Sequence, residues 1–175
     1  MKKIVLLLLG GMLILTGCGS SPKITKSDIC VKKQGESKEI CYGMSRSDAE
    51  EIAGKGKSAS DKEGLFEYDH DLEIRYRDDK VVSLELEEDS KDYYEYSSGI
   101  KVGDLKAVLE KRYGTTKVSD SLYVYDTKSG KMLSVEDANL VKEEPEPDQH
   151  LLLMFTVLDD GYLMSVKMGD FGSIK

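Results

Sequence analysis

Residues 72–86, LEIRYRDDKVVSLEL, decide the fold of this chain. Apolar and charged side chains alternate along both arms of the stretch, which is the period of a strand with one buried and one solvated face. Residues 78–80 separate the arms and predict a three-residue hairpin turn. In this register three apolar pairs oppose one another: Leu72 with Leu86, Ile74 with Leu84, and Tyr76 with Val82. The stretch therefore predicts an antiparallel hairpin that is covered on one face only.

The hairpin belongs to a pattern that occurs twice. A glycine stands on each side of a predicted helix at about 45–53, and again on each side of a second helix at about 104–113. Ser45 and Asp104 are the predicted N-caps. Three strands are predicted after each helix, at 64–69, 71–77 and 81–87 and then at 121–126, 151–158 and 162–168. The sequence predicts an α+β protein of two tandem α-β-β-β units, in which each antiparallel sheet has a helix packed on one face.

The two units occupy the chain beyond its N-terminal region. The first unit spans residues 29–92 and begins with a hairpin, and the second spans residues 93–175. An insertion at 127–150 interrupts the second unit. It predicts a short hairpin around Gly130, followed by an acidic loop with two prolines at 143–148.

The N-terminal region has the parts of a bacterial lipoprotein signal peptide. Two lysines precede an apolar run at 4–15, which has the length of a signal h-region and is short for a permanent span. The LTGC sequence at 15–18 resembles a lipobox, which predicts removal of residues 1–17 and a lipid on Cys18. Residues 18–28 predict a flexible polar tether. The alternatives are an ordinary secretory signal and an uncleaved anchor.

The composition limits the partners of the mature chain. A formal net charge of -8 and a pI near 4.9 argue against nucleic acid, because a phosphate backbone would be repelled. The lipid predicts the membrane as one partner, with the domain on the outer side of the cytoplasmic membrane or on the outer membrane. No cofactor and no metal site is expected.

Two cysteines remain besides Cys18. Cys30 and Cys41 flank a predicted hairpin whose loop is 34–37, and in that register they stand directly opposite each other. Export permits oxidation, so we predict a structural disulfide. The alternatives are two free thiols and half of a metal site, although neither histidine of the chain lies at ligand spacing.

The motifs of the two units resemble a known family. The first unit reads GMSRSD at 43–48, then a helix that ends at a glycine, then strands with a DDK turn before VVSL at 81–84. This pattern, over residues 40–88 and 100–169, is similar to the superfamily of small bacterial lipoproteins typified by the BamE/SmpA outer-membrane assembly component. The superfamily includes tandem-repeat β-lactamase-inhibitor proteins. The resemblance implies the fold, and no functional residue is carried over from it.

The last two strands of the second unit carry apolar side chains where the first unit carries charges. These candidate partner-binding residues are Met154, Leu158, Tyr162, Met164 and Met168. Such a face should not be left in water. It packs internally between the half-sheets, or the insertion covers it, or it is an adaptable partner surface of the kind that methionines form.

No catalytic constellation is recognisable in the sequence. It lacks a GxSxG elbow, an HExxH pair and a phosphate-binding glycine loop. The leading hypothesis is therefore a non-catalytic, membrane-anchored lipoprotein that binds another protein of the cell envelope, as a scaffold or assembly partner. An inhibitor or ligand-sequestering domain is the alternative, and a small hydrolase is the third hypothesis.

Overall fold

The computed structural model describes residues 22–60, 62–141, 146 and 148–174. The predicted signal peptide at 1–17, the predicted lipidation site Cys18 and most of the acidic loop lie outside the described residues. The described part forms three α-helices: α1 (Arg46–Ala53), α2 (Lys106–Tyr113) and α3 (Val135–Val141). Short 3₁₀ turns lie at Lys26–Asp28, Glu88–Ser90 and Phe171–Ile174.

Eleven strands complete the described part, and every pair among them is antiparallel, so the α+β class is confirmed. The strands are β1 (Cys30–Lys33), β2 (Glu39–Cys41), β3 (Lys57–Ser58), β4 (Leu65–Tyr68), β5 (Leu72–Arg77), β6 (Lys80–Leu86), β7 (Tyr94–Tyr96), β8 (Leu122–Asp126), β9 (Lys131–Met132), β10 (His150–Val157) and β11 (Leu163–Asp170).

Eight of these strands form one continuous sheet in the order β3-β4-β5-β6-β11-β10-β8-β9. The strands of the N-terminal half pair with one another, as do those of the C-terminal half. The halves meet where β6 pairs with β11, from Val166 opposite Leu86 to Gly169 opposite Ser83. The remaining three strands form a second sheet in the order β2-β1-β7.

The hairpin of residues 72–86 has the predicted strands and a different turn. Leu72 lies opposite Leu86 and Ile74 opposite Leu84, as predicted, but Tyr76 lies opposite Val81 and not Val82. The pairing shifts after Arg75, which leaves a two-residue turn in place of the predicted three-residue one. Both turn residues, Asp78 and Asp79, have positive φ (51° and 60°), a conformation that aspartate tolerates and tight hairpins require.

The two longer helices begin differently. The hydroxyl of Ser45 accepts a hydrogen bond from the Asp48 N–H, which confirms Ser45 as the N-cap of α1. The predicted cap of α2 is wrong, because that helix begins later and its N-cap is Leu105, which makes no side-chain cap bond. The Asp104 carboxylate instead accepts a hydrogen bond from the Lys101 N–H.

The main core lies between the eight-stranded sheet and the elements on one of its faces. Ala49 of α1 and Leu109 of α2 are fully buried there against strand side chains. A smaller core lies on the opposite face of the C-terminal half. It consists of Val118, Val124, Leu133, Ala138, Leu152 and Phe171, so α3 and the C-terminal turn cover that part of the sheet. The insertion at 127–150 therefore covers strand side chains, which was one of the three alternatives.

The N-terminal segment packs on the domain, contrary to the flexible tether predicted for the whole of residues 18–28. Ile24 is fully buried, and the turn at Lys26–Asp28 follows it. The Lys26 ammonium lies 2.7 Å from the Asp148 carboxylate, and the Arg112 guanidinium lies 2.9 Å from that of Asp28. The pKa of Asp28 is lowered: burial alone would raise it, but hydrogen bonds from Thr25 and Arg112 outweigh burial.

The small sheet contains the predicted disulfide. Cys30 lies opposite Cys41 in the β1–β2 pair and the two are bonded, with their Cα atoms 4.1 Å apart. This is the close approach expected of opposed residues in an antiparallel pair. On its other side β1 pairs with β7, so the tyrosine-rich segment Tyr94–Tyr96 supplies an ordered strand.

Candidate functional site

A large trough lies on the sheet face that points away from α1 and α2; we call this face the open face. The trough encloses about 1120 Å³ over strands β4, β5, β6 and β11. The loop at 62–64 borders it on one side, and Met154 and the C-terminal turn at 172–174 border it on the other. In the C-terminal half the smaller core occupies the same face, so the trough is the part of this face that remains open.

One row of side chains crosses the trough from strand to strand. Glu67 lies opposite Glu73, Glu73 opposite Glu85, and Glu85 opposite Lys167. Lys167 is only 8% exposed, and its ammonium donates to the Glu85 carboxylate at 2.9 Å. The middle of the open face therefore holds Glu85, paired with the Lys167 ammonium, and directly opposite it a second glutamate, Glu73.

The electrostatics of the row follow from this crowding. Burial raises the pKa of Glu73, and the negative charge of Glu85 on the facing strand raises it further. The pKa of Glu87, which also lines the trough, is raised by burial and by the charges of Glu73 and Glu85. The ionised forms of Glu73 and Glu87 are therefore disfavoured, and a positively charged group brought into the trough would relieve both.

Two arginines border the same surface. Arg75 donates to the Glu63 carbonyl at 2.6 Å, while its buried Nε has no partner among the described residues. Arg77 lies against the fully buried carboxylate of Asp170 at 2.5 Å, and the Tyr42 hydroxyl donates to the same carboxylate at 3.0 Å. Burial and the charge of Asp170 raise the pKa of Tyr42, so the phenol stays protonated and remains a donor.

The five predicted partner-binding residues do not share one strand face. Met168 is fully buried in the main core, and Met154 packs on the smaller core and reaches the edge of the trough. The cause is a bulge between Thr156 and Val157, which leaves Met164 without a paired residue. A one-residue shift turns the rest of a strand over, so Val166 and Met168 point away from the face of Met154.

The other two residues of that set are exposed at the β10–β11 turn. Leu158 is 47% exposed and Tyr162 is 43% exposed, and the Leu158 N–H donates to the Tyr162 carbonyl. Tyr162 also forms a β-bridge with Leu105, itself 47% exposed. Leu158, Tyr162 and Leu105 therefore form a small exposed apolar patch at the β10–β11 turn.

Two further groups of side chains have the chemistry of ligands. Cys30, Glu39 and Cys41 are the one group of possible metal ligands found in the described part, and the disulfide occupies both thiols. His150 is buried at the edge of a pocket of about 560 Å³, and its Nδ1 has no partner within the described ranges. It lies opposite Asp126 in the β8–β10 pair, a pairing of distant strands that the sequence pattern did not reveal.

Comparisons of the chain with protein-family models, with curated proteins and with solved structures find no match. Over residues 22–60, 62–141, 146 and 148–174, no helix has the length and apolar character needed to cross a membrane.

Proposed function

We propose that this protein is a lipid-anchored lipoprotein of the bacterial cell envelope that binds another protein through the trough, without catalysis. The observation that carries the proposal is the pair Glu73 and Glu87, whose pKa values are raised in an open surface. Two of the cations that line the trough, Lys167 and Arg77, are already paired with Glu85 and Asp170, and the charge of Lys62 only partly offsets the raised pKa of Glu73 and of Glu87. A partner segment rich in lysine or arginine supplies the missing charge, and desolvation by the partner strengthens the attraction.

The anchor is the second part of the proposal. The tripartite signal pattern and the LTGC sequence before Gly19 support lipidation of Cys18. We expect Cys18→Ala to leave the fold unchanged and to release the protein from the membrane fraction. Full activity of such a lipid-free variant in cells would favour the inhibitor alternative over the scaffold.

The proposal includes a tandem repeat and, with it, the relationship to the BamE/SmpA-like superfamily. Matching hydrogen bonds fasten the start of each helix to its hairpin, and they support this arrangement. The Gly43 N–H donates to Val81 and the Gly103 N–H donates to Leu163, each at 2.8 Å. Three further backbone N–H to carbonyl hydrogen bonds correspond between the units. Val81 donates to Met44 as Leu163 donates to Asp104, and Arg46 donates to Asp79 as Lys106 donates to Gly161. At the helix ends, Gly54 donates to Glu50 as Gly114 donates to Glu110.

The test is site-specific photo-crosslinking in the native cell from a probe at Arg75, at the floor of the trough. We expect the probe to crosslink a partner protein when the rest of the sequence is wild type. The adduct should be lost when Glu73→Lys and Glu87→Lys are combined. The matched control combines Glu36→Lys with Glu51→Lys, because both are exposed glutamates that do not line the trough. An adduct that persists in the double variant, with folding verified by thermal melting, contradicts the proposal.

One observation favours the third hypothesis, a small hydrolase. Glu73 and Glu85 are opposed carboxylates of unequal environment, since Lys167 pairs with Glu85 while the pKa of Glu73 is raised. Such inequality is what an acid and base pair needs. Turnover of any substrate by the purified protein, abolished by Glu73→Gln with folding intact, would replace the binding proposal by a catalytic one.

A further inference from the structure

The packed N-terminal segment limits how far the body can stand from its anchor. Three residues separate Cys18 from Pro22, the first described residue. Four Cα steps reach at most about 14 Å. Pro22 lies beside the end of α2, because a Cβ placed on Gly114 would be 3.0 Å from the Pro22 Cγ. If Cys18 carries the lipid, this short link keeps the anchor within about 14 Å of Pro22, beside the C-terminal end of α2.

The outer side of α2 leads from this point to the apolar patch at the β10–β11 turn. Leu109 and Tyr113 face the core, while Leu105, Val108, Lys111 and Arg112 are exposed. Nine residues of helical rise separate Leu105 from Gly114, or about 14 Å. The exposed side chains thus form one stripe, with apolar residues at the start of the helix and basic residues near the anchor.

The charge of this region is opposite to that of the chain. Residues 101–117 hold five lysines and arginines and two acidic residues, whereas the whole chain has 25 basic and 33 acidic residues. Lys23, in the anchored segment itself, is exposed. A mixture of exposed apolar and basic side chains on one helix face is the composition of segments that lie on anionic lipid surfaces.

We propose that this surface, the α2 face, rests on the membrane and binds anionic phospholipid headgroups. The α2 face consists of Lys23, Leu105, Val108, Lys111 and Tyr162, and Arg112 lies beside it in its ion pair with Asp28. The inference rests on the proposed anchor at Cys18, and its occupant follows from the short link and from the charge. Because α2 packs on the face of the sheet opposite the trough, this orientation turns the trough away from the bilayer.

The chain contains no tryptophan, so a single introduced tryptophan reports its own surroundings. The lipidated protein carrying Val108→Trp is reconstituted into vesicles of phosphatidylethanolamine and phosphatidylglycerol with brominated acyl chains. We expect several-fold stronger quenching of this fluorophore than of Glu67→Trp, a matched variant at an exposed position of the open face. Equal quenching at the two positions overturns the proposal.

Charge reversal separates headgroup binding from simple proximity. Combining Lys23→Glu with Lys111→Glu should lower the quenching of Val108→Trp to that of Glu67→Trp, and phosphatidylcholine vesicles should do the same. Loss of each cation weakens attraction to an anionic surface by about fivefold. If neither the charge reversal nor the phosphatidylcholine vesicles lower the quenching of Val108→Trp, the proposed binding of anionic headgroups is wrong.

Flotation of the same vesicles distinguishes the two proposals. Protein that does not float with lipid refutes the anchor, whereas protein that floats with Val108→Trp unquenched refutes only the α2 face. A crosslink from Val108 to another protein in cells, together with unquenched fluorescence in vesicles, would assign this face to a protein partner and also overturn the inference.

Discussion

The Lys167 ammonium and the Glu85 carboxylate lie 2.9 Å apart across the junction of the two half-sheets, where β11 pairs with β6. Their side chains are 10% and 15% exposed. The pair therefore bridges the junction and at the same time sets the charge at the centre of the open face. The stability of the junction and the electrostatics of the trough depend on the same two side chains.

Lys167→Met should destabilise the protein by about 3 kcal/mol, because it leaves the Glu85 carboxylate buried without its cation. Chemical unfolding measures this. Lys26→Met is the control: its partner Asp148 is exposed, so the loss should stay within about 0.5 kcal/mol. The double variant Lys167→Met with Glu85→Met should recover part of the stability; equal losses for the two lysine variants would contradict the burial of the pair.

Tyr96→Phe should cost about 2 kcal/mol, since its buried hydroxyl serves backbone groups on both sides of the same junction. The hydroxyl donates to the Leu84 carbonyl at 2.7 Å and accepts from the Met168 N–H at 3.2 Å. Tyr162→Phe, which removes an exposed hydroxyl, should change the free energy of unfolding by less than about 0.5 kcal/mol. Similar melting curves for the two variants would show that the phenol of Tyr96 does not join the strands.

Glu73→Gln should stabilise the protein at neutral pH by about 0.5 kcal/mol, because it removes a like-charge pair between facing strands. The pKa of Glu73 is raised on folding, so the folded state holds the proton more tightly and wild-type stability rises as pH falls toward 4.5. The advantage of the variant should therefore shrink on acidification. Glu51→Gln, at an exposed position of α1, should show neither effect in denaturant titrations at neutral and acidic pH; a pH-independent gain for Glu73→Gln would exclude the charge explanation.

Replacing Cys30 and Cys41 together by serine should cost about 3 kcal/mol, the loop-closure contribution expected for a separation of 11 residues. Reducing agent should lower the melting temperature of the wild type and leave that of the double variant unchanged. A wild type that is insensitive to reduction while its thiols become reactive would show that the strand pairing alone holds the hairpin.

Local patterns predicted most of the strands of the large sheet. Alternation located β5 and β6 to within a residue, and the opposed cysteines followed from counting along a hairpin. Both depend on neighbours in sequence. The helix α3 was missed although Ser134 caps it by accepting from the Asp137 N–H, a signal that the sequence displays within a polar insertion.

The features that the sequence patterns did not predict have a different cause. Alternation cannot reveal a bulge, and the one after Thr156 turned Met168 into a core residue. Burial of Ile24 and pairing of β1 with β7 bring together residues distant in sequence, which no local period encodes. The trough could be predicted only as a charged strand face, because its depth arises from the loop and the C-terminal turn beside it.

The position of β1 in the small sheet has a mechanical consequence. A pull on the N-terminus reaches Ile24 and the Lys26–Asp28 turn first and then Cys30, at the start of a strand with a neighbour on either side. The disulfide passes the load to Cys41 in β2, so tension does not have to peel β1 from its neighbour bond by bond. Under force, residues 22–28 should detach from the domain and lengthen its connection to the N-terminus while the sheets stay folded. This segment would then absorb extension before the domain itself bears the load.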